Sequence, residues 1–218
     1  MNRKFKFSIG EFYHIYNRGN EKRIIFKDDH DRKRFTDLLF LCNTKKSIVV
    51  REIPTGLTYE FDRGETIVDI GAYCLMPNHF HLLLREKTEN GISLFMKKLA
   101  TSYSMYFNKR HQRTGGLFEG KFKATHVDSD TYLKYLFSYI HLNPVKIIDP
   151  HWKENGINDK DMAEKYLDSY PYSSYRDYLG KERKEKLILC RKEFPEYFES
   201  IAEFKLCVSE WLSFKDNT

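Results

Sequence analysis

Aromatic and β-branched residues crowd residues 11–17 and give way to Arg18-Gly19-Asn20, a pattern that predicts a strand closed by a turn. The period then changes: Asp28 and Asp29 offer a helix start, and Phe35, Leu38, Leu39 and Leu41 recur at helical spacing up to about residue 43. Residues 47–53 and 66–75 read as two strands of a hairpin, with turn signals at Pro54-Thr55-Gly56 and Asp62-Arg63-Gly64. Met76-Pro77-Asn78 breaks the pattern before residues 79–85, where alternation passes into Leu82-Leu83-Leu84; that run implies burial on both faces and a central strand.

Residues 92–108 place Leu94, Phe95, Leu99, Met105 and Tyr106 on or near one helical stripe, and Gly115-Gly116 lies in the loop beyond. Residues 122–127 form a further candidate strand. Asp128, Ser129 and Asp130 offer caps for a helix over 131–142, which Pro144 is expected to stop. From residue 147 the chain turns polar, passes Tyr170-Pro171-Tyr172-Ser173-Ser174-Tyr175, and regains helical spacing from Tyr197 through Ile201, Phe204, Val208 and Trp211. The order β, α, β, β, β, α, β, α describes an α+β fold, an antiparallel sheet with helices packed on one face. The expected division is residues 1–150 as the principal domain and 151–218 as a helical extension.

Composition narrows the classes. With 218 residues, 41% hydrophobic, and 17 Phe, 15 Tyr and 2 Trp, there is material for a sizeable core, and global disorder is excluded. No apolar run approaches the roughly 20 residues of a membrane helix, and the basic first ten residues lack the apolar stretch of a signal peptide, so no membrane partner and a cytoplasmic location are expected. The net charge of +6 suits a polyanionic partner without naming it. Cys42, Cys74, Cys190 and Cys207 are scattered with no CxxC pair, and read as reduced, mostly buried thiols.

Three groups of residues could carry chemistry. Side chains at i and i+2 of a strand share a face, so His79 and His81 can present two imidazoles while Phe80 points into the core. With 8 histidines in 218 residues, chance supplies about 0.3 such pairs, so a structural pair is the plainer reading of that motif alone. On the 131–142 helix, Tyr132, Leu136, Tyr139 and Asn143 lie along one face; in isolation, core packing and a helix terminus are the plainer reading of them. A hard divalent ion held by two imidazoles and an amide oxygen would polarise a phosphodiester, and a phenol could then attack it. Arg18, Arg113, Lys121 and Lys123, in loops or at strand ends near Phe118 and Phe122, suit phosphate contacts beside stacked bases.

Taken together, Leu75-Met76-Pro77-Asn78-His79-Phe80-His81-Leu82-Leu83-Leu84, Gly116-Leu117-Phe118-Glu119-Gly120-Lys121-Phe122-Lys123 and Tyr139-Ile140-His141-Leu142-Asn143-Pro144 resemble the HUH-type single-tyrosine transposases, specifically the REP-associated tyrosine transposase branch. Tyr13-His14-Ile15-Tyr16-Asn17-Arg18-Gly19-Asn20 and Tyr172-Ser173-Ser174-Tyr175 also look like that branch, so the resemblance spans about residues 10–180. It implies a ferredoxin-like HUH palm, His79 and His81 as ligands of Mg²⁺ or Mn²⁺, Tyr139 as nucleophile, and Asn143 as a polar third ligand. It also implies single-stranded or hairpin DNA as partner, cut to a 5′-phosphotyrosine and a free 3′-hydroxyl and then rejoined. In a bacterial cell such a protein would sit at the nucleoid when bound to DNA.

The stretch 44–69 exceeds what a minimal palm needs and is expected to project as a hairpin. The region after about residue 180 matches no motif and could serve dimerisation, DNA contacts or packing over the sheet; a homodimer is one expected assembly. The competing functions are a relaxase-like nickase, a hairpin-DNA-binding regulator without cleavage, and a two-histidine phosphoesterase that uses water.

Overall fold

The first strand, β1 (Phe12–Arg18), buries Tyr13 and Ile15 on one side and turns His14, Tyr16 and Arg18 to the other. It pairs antiparallel with β3 (His79–Glu86) and with β4 (Lys123–Val127), and β3 also pairs with β2 (Val68–Met76), giving the antiparallel order β2-β3-β1-β4. This is a computed structural model; it describes residues 6–213 apart from 55, 198 and 199, and the side chains of 153, 209 and 211–213 also lie outside the described residues. The expected turn residue Thr55 and the side chain of Trp211 therefore fall outside it.

Two helices cover the Ile15 face: α1 (Asp29–Leu41), capped by the Asp28 carboxylate accepting from Asp31 N, and α2 (Gly91–Arg110). Phe35, Leu38, Leu39, Phe95, Leu99 and Tyr103 interlock there with Phe80, Leu82 and Leu84 of β3. The opposite face is not left open. It carries α3 (Asp130–Leu142), capped by Ser129, and then the C-terminal elements α4 (Val145–Ile148), α5 (Trp152–Asn155), α6 (Lys160–Ser169), α7 (Tyr175–Tyr178) and α8 (Ile201–Ser213). Leu136, Phe137 and Ile140 of α3 form one apolar cluster with Cys74 and Leu83 of the sheet and with Leu167, Tyr178, Phe204 and Val208 beyond residue 151. The palm helices α1 and α2 thus lie on one face as expected, and the extension shares the second core with α3.

Two sequence expectations are corrected. Residues 47–53 are not a strand: only a 3₁₀ turn, Val50–Glu52, forms there, and Ile48, Val50 and Ile53 pack against the α1/α2 core. The reason is that the outer edge of β2 is already taken. Leu75 N donates to Tyr172 O, Ser174 N to Tyr73 O and Cys190 N to Ile70 O, each at 2.9–3.0 Å. The 44–69 stretch therefore does not project as a hairpin but folds along α1, with Tyr59 buried beside Phe40 and Lys98 Nζ donating to the carbonyls of Thr44 and Lys46. Pro144 also does not end the helical course; Asn143 and Pro144 keep right-handed helical dihedrals and lead directly into α4.

A bulge in β2 shifts the register between Ile70 and Ala72, so Ile70 and Tyr73 face the same core although three positions apart. Gly71 sits at this point because a Cβ there would meet the Phe194 ring at 2.5 Å. Cys42 and Cys74 are buried and Cys190 and Cys207 half-buried; all four are free thiols.

Candidate active site

β3 and β1 build the site by register. Tyr16 lies opposite His81 and Arg18 opposite His79, while Lys123 of β4 lies opposite Tyr16. All five project from the face that α3 crosses. The two-residue turn Pro77-Asn78 joins β2 to β3 and is pinned from outside, since Gly19 N donates to Asn78 O at 2.8 Å and Ile25 N to Pro77 O at 2.9 Å. That anchoring aims the Asn78 amide. Its Oδ1 is 2.6 Å from His79 Nδ1, and because an amide oxygen only accepts, His79 carries its proton on Nδ1 and would ligate through Nε2.

His81 is held in a similar way by a residue to which the sequence motifs assign no role. His14 Nε2 lies 2.8 Å from His81 Nδ1, the two rings stacking with centroids 5.0 Å apart. Burial pulls the pKa of His14 down to about 4. His79 is likewise lowered to about 4, first by burial and then by the nearby charges of Lys146 and Arg18. Both rings are neutral at pH 7, the state in which an imidazole can bind a metal.

α3 lays Tyr139 across these histidines. Its ring meets His81 edge-on at 5.5 Å and His14 at 5.8 Å. Burial raises the phenol's pKa above its ordinary value, partly opposed by the Asn143 side chain. Asn143 is buried one turn on and donates its amide N–H to the Tyr139 carbonyl at 2.8 Å. It sits at the junction of α3 and α4 and lines the same cavity as Tyr139, His79 and His81. That cavity, ≈ 330 Å³, is rimmed by Arg18, Lys22, Lys123 and Lys146, with Glu119 paired to Arg18.

Six of the cited positions thus converge on one cavity: His79, His81, Tyr139, Asn143 and, among the cations, Arg18 with Lys123. Arg113 and Lys121 do not line it; Arg113 donates to Asn108 Oδ1 at 2.8 Å beyond the end of α2, and Lys121 is exposed before β4. Residues that the sequence reading left without a role are His14, Tyr16, Lys22 and Lys146. His14-x-Tyr16 repeats the period-two signal of His79-x-His81, and Lys146 follows Asn143 by three positions, so a signal existed for both. Among the described residues no group of three or more His, Cys, Asp or Glu is arranged to hold a metal; His79 and His81, with the Asn143 amide nearby, are the residues that could do so.

The family model described as Transposase IS200 like matches residues 11–143, from the start of β1 to the Asn that closes α3. The chain belongs to the IS200-like transposase family. Its fold is that of a solved REP-associated tyrosine transposase bound to a REP hairpin, with a TM-score of 0.51 and 12% identity over 92% of each chain. This alignment runs well past the family region into the C-terminal elements. A crystal structure of a candidate transposase from Deinococcus radiodurans is also similar, at 17% identity over 64% of this chain and 94% of that one, with a TM-score of 0.36. Comparison with curated proteins finds no match. As an IS200-like transposase the protein acts on DNA. No helix among the described residues is long and apolar enough to cross a membrane.

Proposed function

We propose that this transposase cleaves single-stranded or hairpin DNA with Tyr139 as nucleophile, supported by Mg²⁺ or Mn²⁺ at His79 and His81, and rejoins strands from the resulting 5′-phosphotyrosine. The observation that carries the proposal is the Tyr139 phenol ring set edge-on to His81 inside a cavity rimmed by Arg18, Lys22, Lys123 and Lys146. The donor set fits a divalent ion, since each β3 histidine has its Nδ1 engaged by a polar neighbour and would ligate through Nε2. The Asn143 amide nitrogen is spent on the Tyr139 carbonyl, so its oxygen is the atom a cation would meet.

In this reading the rim cations hold the phosphates on either side of the scissile bond. Tyr139 Oη attacks phosphorus, the bond to the 3′ oxygen breaks, and the departing oxygen leaves as a 3′-hydroxyl after taking up a proton. Burial opposes loss of the phenol proton, so Tyr139 needs positive charge close by when substrate is bound. A bound divalent ion would supply that charge and polarise the phosphate. Rejoining runs the same step backwards from the phosphotyrosine, which conserves the bond energy. Hairpin DNA enters the proposal through the solved relative, which was bound to one.

The test is a denaturing gel of labelled single-stranded and hairpin DNA from the sequence flanking the gene, with Mg²⁺, Mn²⁺ or a chelator. A metal-dependent protein–DNA adduct that survives denaturant is expected. Nicking without an adduct would instead identify a phosphoesterase that uses water, and binding without nicking a regulator.

A further inference from the structure

The cleft at Tyr139 divides into two arms of opposite chemistry. Tyr16, His81 and Tyr139 belong to both. One arm is the cationic cavity already described. The other, ≈ 380 Å³, runs between the sheet and the first two turns of α3, and none of its lining residues is Lys, Arg, Asp or Glu. Its volume falls in the range of about 300–1,000 Å³ usual for small-ligand clefts.

Aromatic rings form the walls of this second arm. Tyr132, Tyr135 and Tyr139 recur at spacings of three and four and so share a stripe of α3, while the opposite stripe is buried through Leu133, Phe137 and Ile140. Their rings form a ladder: Tyr132 to Tyr135 is 6.1 Å at 19°, and Tyr135 to Tyr139 is 5.8 Å at 33°. All three stay half-exposed, as does Tyr16 across the cleft on β1. Burial raises the phenol pKa of Tyr132 and of Tyr139, and the nearby Tyr16 phenol adds to the rise in each.

We propose that this tyrosine-lined arm is a stacking seat for unpaired nucleobases next to the scissile phosphate, with Tyr132 and Tyr135 on one wall and Tyr16 on the other. This rests on the strand-cleavage reading of Tyr139. A flat group with an apolar face and polar edges suits a cleft whose walls are phenol rings and whose surface carries no charge. Continuity with the cationic arm identifies the group: a strand crossing at Tyr139 leaves its phosphates among Arg18, Lys123 and Lys146, and turns its bases toward the rings. A base that is still paired cannot enter, so the arm selects single-stranded DNA. Because every base has a π-face, the seat is tolerant of sequence.

The experiment compares binding of the full chain to a 12-nucleotide oligo(dT) and to an abasic 12-mer with the same number of phosphates. Wild type should bind the oligo(dT) about tenfold more tightly or better, which is the expected contribution of stacking. A Tyr132→Leu, Tyr135→Leu double variant should lose that preference while keeping the salt dependence of binding, since the phosphate contacts are untouched. The Tyr132→Phe, Tyr135→Phe variant keeps the rings and should keep the preference. Should the leucine variant fail to fold, Tyr16→Leu removes the other wall and should reduce the preference several-fold. Equal affinity of wild type for the two oligomers overturns the proposal, as does a preference that survives both Leu replacements. Adduct formation is measured separately: a protein that prefers bases but never forms an adduct retains the seat and refutes the nucleophile, and the converse result refutes the seat alone.

Discussion

The two faces of the sheet are built from the same strands and do different work. On β3, Phe80, Leu82 and Leu84 point into the α1/α2 core with no more than 2% exposure, whereas His79 and His81, on alternate positions, face α3 and an open cleft. β1 repeats the division, Tyr13 and Ile15 against His14, Tyr16 and Arg18. One face is closed by continuous apolar packing and gives the strands their positions. The other can then hold polar groups half-open to solvent, because its geometry is set from behind. The comparison teaches that the precision of the site is a property of the opposite face.

The largest effect should come from the functional face. Tyr139→Phe removes one hydroxyl from a ring that keeps its packing, so the covalent adduct should vanish, with cleavage falling on the order of 10³-fold or more, while DNA affinity and the melting temperature stay near wild type. Peptide mapping of any remaining adduct would identify a different nucleophile and break the assignment.

The supporting face should answer in stability instead. Phe80 is packed against Phe35 and Phe118, with centroids 4.9 and 5.9 Å away, so Phe80→Ala should cost about 3–5 kcal/mol in urea denaturation. His79→Ala, one position earlier on the same strand, should change stability by less than about 1 kcal/mol and instead raise the metal concentration needed for cleavage. If the two variants were equally destabilised, the division of labour between the faces would be wrong.

A third measurement concerns the join between α3 and the sheet edge. His141 is fully buried and 2.7 Å from Ser174 Oγ, and burial pulls its pKa down to about 3. The unfolded chain, with an ordinary histidine pKa of about 6.5, binds a proton that the folded chain refuses, so this contribution is complete above pH 6.5 and is lost as pH falls towards 3. His141→Gln should flatten the decline of stability between pH 6.5 and 4 relative to wild type. A parallel decline would mean that His141 does not govern it.

The smallest effects separate the cations. Lys146→Ala and Lys123→Ala, at the cavity rim, should each lower the salt slope of DNA binding by about 1, whereas Lys121→Ala and Arg113→Ala, which line neither arm, should leave it nearly unchanged. Equal slopes for all four would show that the DNA path extends beyond the cleft.

Much of this was legible in the sequence because the relevant signals are local. A period of two places His79 and His81 on one side of a strand, and a helical turn places Asn143 beside Tyr139, whatever the rest of the chain does. Ser129 and Asp28 announce the starts of α3 and α1 by the same local chemistry. Periodicity could not say which strand neighbours which. The expected strand at 47–53 failed because residues 172–174 and Cys190, more than a hundred positions away, had already taken the β2 edge. The bulge at Gly71 escaped notice for a similar reason, since its cause is the ring of Phe194.

What the sequence determined by itself, then, is the existence of β1, β3, β4 and of α1 to α3, and the shared faces of His79 with His81 and of Tyr139 with Asn143, because these follow from backbone geometry over a few residues. The tertiary structure decided which faces meet. His14 became the partner of His81 through pairing across 67 positions, Lys146 reached the cavity only because the chain continues from α3 into α4, and Arg113 was carried away from it at the far end of α2. Contacts of that range are selected by the burial of two cores on opposite sides of one sheet, a property of the whole chain that no window of residues contains.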